Sequence, residues 1–290
     1  MLRRPMDDAG VTTRTFEHDG RRLVYDEYGS GRRAFVLVHG LLLSRGMHAP
    51  LATALAGRGH RVIVPDLLGH GDSERPRDMW RYSMPIFGEQ VCGLLDHLEL
   101  DQAVVGGTSL GANVSLETAV RAPDRVRGLV IEMPVLDNAL LGCALAFSPL
   151  LVYLTFGERL ARLVAAGARL LPRGITHLGD VGLDWISQDP APSAAVLQGL
   201  FFGRTAPPRA ERATIEAPAL VIGHQRDPIH PFSDSGMLVE EMPNARLVEA
   251  SSILELRLTP ERLTGEIADF LDTCWKPAAR RRARPKRTAG

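Results

Sequence analysis

The run Val104-Val105-Gly106-Gly107-Thr108-Ser109-Leu110-Gly111-Ala112 sets a serine between two glycines where an apolar β-run breaks into a helix. In this G-x-S-x-G spacing, small residues two before and two after the serine let strand and helix approach closely, while a strained turn pushes the hydroxyl into solvent. Such a hydroxyl becomes a nucleophile when a base takes its proton, so acyl transfer is the chemistry to expect. The base is usually a histidine placed after the acid, near the chain's end. Here the last of nine histidines is His230, and the final 60 residues contain none.

The elements around Ser109 alternate. Thr13 to His18 and Arg22 to Glu27 read as a hairpin turning at Asp19-Gly20. Ala34 to Val38 is a continuous apolar run, as in a strand buried on both faces. A helix from Met47 to Ala56, a strand Arg61–Val64 and a helix from Pro85 to His97 follow. The strand Ala103–Gly106 delivers Ser109, the helix Leu110–Arg121 comes next, and the strand Val126–Ile131 ends at Glu132-Met133-Pro134. After a Leu-, Ala- and Pro-rich stretch, alternation resumes with the strand Ala219–Ile222, a helix near Ser233 to Glu241, the strand Ala245–Glu249 and a last helix from Pro260 to Cys274. Strands separated by helices predict an α/β fold: a mostly parallel, doubly wound sheet with helices on both faces and ligands at the carboxyl ends of the strands. The expected organisation is a core domain of residues 1–134 and 214–275, a helical cap inserted at 135–213, and a basic tail at 276–290.

With 290 residues and 45% apolar content the chain can bury one large core. The formal net charge is zero, yet the tail from Lys276 to Arg287 carries seven cations and no acid, leaving a body about seven charges negative. The tail lacks the apolar content to fold and reads as a solvated extension, so no nucleic-acid partner is expected. Cys92, Cys143 and Cys274 are odd in number and far apart, which argues against a disulfide framework or a zinc site. A reducing cytoplasm fits this usage, and the N-terminus has no apolar segment behind Arg3-Arg4 to act as a secretory signal. From Ala139 to Phe156 eighteen residues run without a charge, at the lower limit for a spanning helix. Ser148 and Pro149 interrupt the run, predicting a buried or pocket-lining helical hairpin rather than stable membrane insertion; peripheral membrane contact is the other reading.

With these motifs in order, the sequence resembles the α/β-hydrolase superfamily from Thr13 to Trp275. His39-Gly40-Leu41 looks like its H-G-x loop, Asp66-Leu67-Leu68-Gly69-His70-Gly71-Asp72-Ser73 like its D-x-x-G-x-G-x-S loop, and Gly223 to Pro231 like its acid loop. The resemblance implies Ser109 as nucleophile, the backbone amides of Leu41 and Leu110 as oxyanion donors, and Asp227 as the acid that orients the base. Asp227 also suits a helix N-cap, and Glu132 stands where some members carry the acid instead. The resemblance reads His39 and His70 as loop-packing residues.

The family's base precedes the proline that starts the final helix. Counting back from Pro260, Ile253 takes that place, and isoleucine accepts no proton. His230, three residues beyond Asp227, is the first replacement to consider, since imidazole has the right basicity; His224, Glu255, or a site with no general base are the others. The sequence therefore predicts a hydrolase of a small apolar ester, thioester or lactone, with weak or altered activity. Its alternatives are a non-catalytic ligand-binding or interaction protein that has lost turnover, and a cofactor-free lyase or oxygenase. No metal constellation, P-loop or dinucleotide fingerprint is present, so neither metal nor cofactor is expected.

Overall fold

Buried strands need apolar side chains on both faces, and the central runs supply them: every residue of Ala34–Val38, Ala103–Thr108 and Ala219–His224 is buried. The computed structural model describes residues 10–227 and 229–276, so the expectations for the N-terminal segment, for Pro228 and for the tail beyond Lys276 lie outside the described residues. Eight strands form one sheet: β1 (Val11–His18), β2 (Arg21–Tyr28), β3 (Ala34–Val38), β4 (Arg61–Asp66), β5 (Ala103–Thr108), β6 (Val126–Glu132), β7 (Ala219–His224) and β8 (Ala245–Ala250). Their order is β1-β2-β4-β3-β5-β6-β7-β8, with β2 antiparallel to both neighbours and the rest parallel.

Helices α1 (Ala49–Ala56), α2 (Met84–His97) and α3 (Leu110–Arg121) alternate with β3 to β6. Five helices then separate β6 from β7: α4 (Leu140–Phe156), α5 (Glu158–Ala168), α6 (His177–Ile186), α7 (Pro190–Phe202) and α8 (Arg209–Arg212). The chain closes through α9 (Phe232–Glu241), α10 (Glu255–Leu258) and α11 (Glu261–Trp275). Two apolar clusters lie one on each side of the sheet, one with Phe87, Leu94 and Leu116, the other with Leu55, Leu263 and Leu271.

Two expectations are corrected. The charge-free run is one helix rather than a hairpin, and it passes through Pro149. Proline removes one backbone hydrogen bond. The inward stripe of Phe147, Leu150, Leu151 and Leu154, at helical spacing, packs on the core and holds the helix across that gap. The chain turns instead at Gly157, where α4 and α5 meet at 99°. Of the two readings, buried or pocket-lining, the second holds: Leu140, Cys143, Ala144 and Phe147 line cavities, no residue of α4 is buried, and Leu141, Leu145, Val152 and Phe156 form an exposed outer stripe. The loop after β8 also contains the short helix α10, for which the sequence offered no periodicity to read.

The loop after β4 is fixed by a buried ion cluster. Arg45 lies against Asp26 at 2.9 Å, against Asp66, and against Asp72 at 2.8 Å. Burial alone would lower the Arg45 pKa, but the Asp66 and Asp26 carboxylates outweigh it and hold it above the ordinary value. Gly71, at φ +51°, packs so tightly on Asp66 that a Cβ would overlap the carboxyl group, and Ser73 donates to the Asp66 carbonyl at 2.7 Å. Asp66, Gly71 and Ser73 of this motif thus each have a steric or hydrogen-bonding reason.

Two stability predictions follow from these buried groups. Arg45→Met should destabilise the fold by about 3–5 kcal/mol in denaturant titration, because Asp66 and Asp26 stay buried without their cation; a loss below about 1 kcal/mol would show that the cluster carries no such weight. Burial pushes the imidazoles of His39, His70 and His48 down, His48 to about 3. The unfolded chain takes up protons at these residues below about pH 6.5 while the folded chain does not, so stability falls as pH drops. His48 alone, held near 3, gives a slope of about 1.4 kcal/mol per pH unit near pH 5, and His39 and His70 act in the same direction. A melting temperature that stays flat between pH 7 and pH 5 would contradict this.

Candidate active site

Ser109 sits between β5 and α3 with φ +56° and ψ −110°, a strained conformation for a residue with a side chain. Close approach enforces it. A Cβ on Gly107 or on Gly111 would overlap the Val38 carbonyl oxygen, so both elbow glycines are demanded by the packing of β5 and α3 against the end of β3. The Ser109 amide donates to the Glu132 carbonyl at 2.9 Å, pinning the turn to the end of β6.

The structure brings His230 to this hydroxyl. Its Nε2 lies 2.9 Å from Ser109 Oγ, and its Nδ1 lies 2.9 Å from Asp227 Oδ2. Asp227 Oδ1 accepts the backbone amides of Ile229 at 2.9 Å and His230 at 3.0 Å. One carboxylate therefore shapes the loop that carries the imidazole and orients the ring as well. Burial pushes the Asp227 carboxyl up, but the hydrogen bonds from the ring and backbone of His230 outweigh it and hold it below its ordinary value.

Ser109 opens onto two adjoining cavities. One, of about 320 Å³, is lined by Leu41, His230, Ile253 and Arg257 from the core and by Phe147 and Trp185 from α4 and α6. The other, of about 260 Å³, includes Leu110, Met84, Leu140, Cys143 and Leu197. Leu41, Ser109 and Phe147 border both. Leu110 is the first residue of α3, where an amide has no acceptor within the helix, and Leu41 borders both cavities together with Ser109. Ile253 borders the first cavity as an apolar wall.

The remaining candidates are committed elsewhere. Glu132, the alternative acid, is buried against Arg257, whose Nη2 lies 2.9 Å from its Oε2, and accepts from Thr108 Oγ1. Burial pushes its carboxyl up, yet the Arg257 charge overrides this and holds it well below the usual range. His224, which lies 3.5 Å from Glu132, meets the Ser252 carbonyl at 2.9 Å. Glu255 receives Arg262 at 2.8 Å and the Ser251 hydroxyl at 2.8 Å, so it serves as a loop clamp and not as a base. His39 accepts the Leu67 amide at 3.1 Å, and His70 contacts the Leu68 carbonyl at 3.0 Å, so both hold loops. Among the described residues no group of three or more His, Cys, Asp or Glu side chains forms a metal site.

Sequence reasoning missed two supports of the site. Arg257, from α10, ties the loop after β8 to Glu132 and Thr108, directly behind Ser109; an arginine in a short loop helix gives no sign of its partner. Asp234, buried near the start of α9, accepts the amides of Leu136 at 2.7 Å, Asn138 at 3.1 Å and Ala139 at 3.1 Å, so it fastens the entry of α4 next to the His230 loop. An acidic residue in a helix's first turn was visible, but its distant acceptor role was not.

Comparison with known proteins accords with this architecture. Residues 33–163 match the family model described as the alpha/beta hydrolase fold. A 2-hydroxymuconate semialdehyde hydrolase of Pseudomonas sp. (strain CF600) is 45% identical over 74 residues, a stretch that is 26% of each chain. Haloalkane dehalogenase 1 of Mycobacterium bovis is 28% identical over 224 residues, 72% of this chain and 73% of the other. The enol-lactonase of Burkholderia xenovorans LB400 superposes with a TM-score of 0.71 at 25% identity, covering 89% of this chain and all of that one. The eight-stranded sheet, the family match at 33–163 and these likenesses have one reading: the chain has the α/β-hydrolase fold.

Proposed function

We propose that the protein is a serine hydrolase acting on a small apolar ester, thioester or lactone, with Ser109 as nucleophile, His230 as general base and Asp227 as the group that orients and charge-balances the base. The observation that carries this reading is the pair of 2.9 Å contacts at His230, one to Ser109 Oγ and one to Asp227 Oδ2. With Nδ1–H donated to Asp227, Nε2 is free to accept the serine proton. Ser109 Oγ then bonds to the substrate carbonyl carbon, and the negative oxygen that forms is received by the amides of Leu41 and Leu110. His230 returns the proton to the leaving oxygen or sulfur, and water releases the acyl group by the same steps in reverse order of roles.

The cavities favour uncharged substrate arms. Their walls are mainly aliphatic and aromatic, and the Arg257 charge beside Ser109 is matched by Glu132. Two cavities meeting at Ser109 suit a substrate with an arm on each side of the reacting carbonyl. The likeness to an enol-lactonase supports lactones within the class. The non-catalytic reading rested on the isoleucine at position 253; the histidine within hydrogen-bond reach of Ser109 favours the enzyme reading over it.

Fluorophosphonate should label the wild-type protein at Ser109 and leave Ser109→Ala unlabelled. On activated short-chain esters, Ser109→Ala and His230→Ala should each lower kcat by about 10⁴- to 10⁶-fold, and Asp227→Asn by about 10⁴-fold. Ile253→His should bring no gain, because the base position is already served. Absence of labelling together with ester turnover no faster than buffer would return the protein to the ligand-binding class; efficient wild-type turnover untouched by His230→Ala would exclude His230 as the base.

A further inference from the structure

We propose that the outer face of α4 and α5 docks the protein on an anionic lipid surface, laid in the plane of the interface. Helix α5 is built with its small residues inward and its large ones outward: Ala161, Ala165 and Ala168 are buried, while Leu163 is 71% exposed and Leu170, just beyond the helix, is 86% exposed. Phe156, at the end of α4, is 86% exposed and continues the outer stripe of Leu141 and Leu145. So many exposed large apolar side chains on two successive helices mark an interaction surface, since monomeric soluble proteins rarely present large apolar patches.

Charge identifies the occupant. Of the four arginines between residues 139 and 176, Arg162 pairs with Glu158 and Arg173 with Asp184, while Arg159 and Arg169, the latter also donating to the Ser187 carbonyl, leave this face a positive charge that no acid among residues 139–176 offsets. Apolar side chains interleaved with arginine suit the boundary between lipid headgroups and acyl chains, where cations meet anionic lipid. A second copy fits less well, because a two-fold contact sets the same arginine-bearing patch against itself. Neither helix is long and apolar enough to cross a membrane, and the 99° bend between them fits a surface position. The inner sides of α4 and α6 line the cavity at Ser109, so a docked protein would hold that cavity beside the lipid. This inference is independent of the chemistry at Ser109.

The test is sedimentation of the full chain with vesicles of phosphatidylcholine alone and of phosphatidylcholine with phosphatidylserine, at low and raised salt. The wild-type chain should partition at least about ten-fold more onto the phosphatidylserine vesicles, with salt weakening the binding. The double variant Leu163→Glu with Leu170→Glu should keep the melting temperature and lose binding by about ten-fold. Four outcomes would overturn the proposal. They are no binding to either vesicle, equal binding to both, unchanged binding by the variant, which would place the contact in the arginine-rich C-terminal sequence, and a wild-type dimer that the variant dissolves, which would assign the face to a second copy.

Discussion

The carbonyl oxygen of Val38 is the constraint on which the active site depends. Gly107 from β5 and Gly111 from α3 both press against it, and neither tolerates a Cβ. With those two points fixed, the chain between them has one way round, through the positive φ of Ser109. The strain is held by parallel pairing of β5 with both β3 and β6 and by the Ser109 amide bond to Glu132. A serine in that position cannot withdraw its side chain into the core, so the fold delivers an exposed hydroxyl whether or not a base waits for it.

The candidate base, His230, sits on a segment other than the loop after β8. Acid and imidazole are three residues apart, and Asp227 binds the backbone amides of the very turn that presents His230. The pair behaves as one local unit whose geometry is set by short-range hydrogen bonds. That frees the loop after β8 from carrying a base. Its place near Ser109 is kept by Arg257, which bridges to Glu132 and Thr108 at the ends of β6 and β5. A buried charge pair of this kind is worth little in net stability but costs much when halved, so it acts as a fastener whose two members must be kept together.

Much of this was legible in the sequence, for physical reasons. Continuous apolar runs marked the buried strands, and all eight strands appear where alternation and hairpin signals placed them, to within two residues. Ser109, Leu41, Leu110 and Asp227 could be offered as candidates because turns and strand ends impose residue types locally. His230 could be offered as a candidate because it is the one histidine beyond Asp227, but its reach of 2.9 Å to Ser109 depends on how the seven-residue loop 225–231 folds back, which no local pattern encodes. The Glu132–Arg257 and Asp234 contacts span long stretches of chain and leave no periodic trace. Pro149 misled for a different reason: local propensity argues for a break, whereas packing of Phe147, Leu150, Leu151 and Leu154 on the core overrides it.

The segment between β6 and β7 obeys a different rule from the sheet it covers. In the sheet, large apolar side chains point inward and small residues serve close approach; in α5 the small residues point inward and the large ones face out. Shrinking the inward residues lets α5 lie close to α4, α6 and α7, with which it packs. Enlarging the outward ones raises the cost of exposing that face to water by about 25 cal/mol for each Å². A chain that needed only to cover its active site would place those leucines the other way round. Placed as they are, the exposed outer stripe and the walls of the cavity at Ser109 are two sides of the same helical segment.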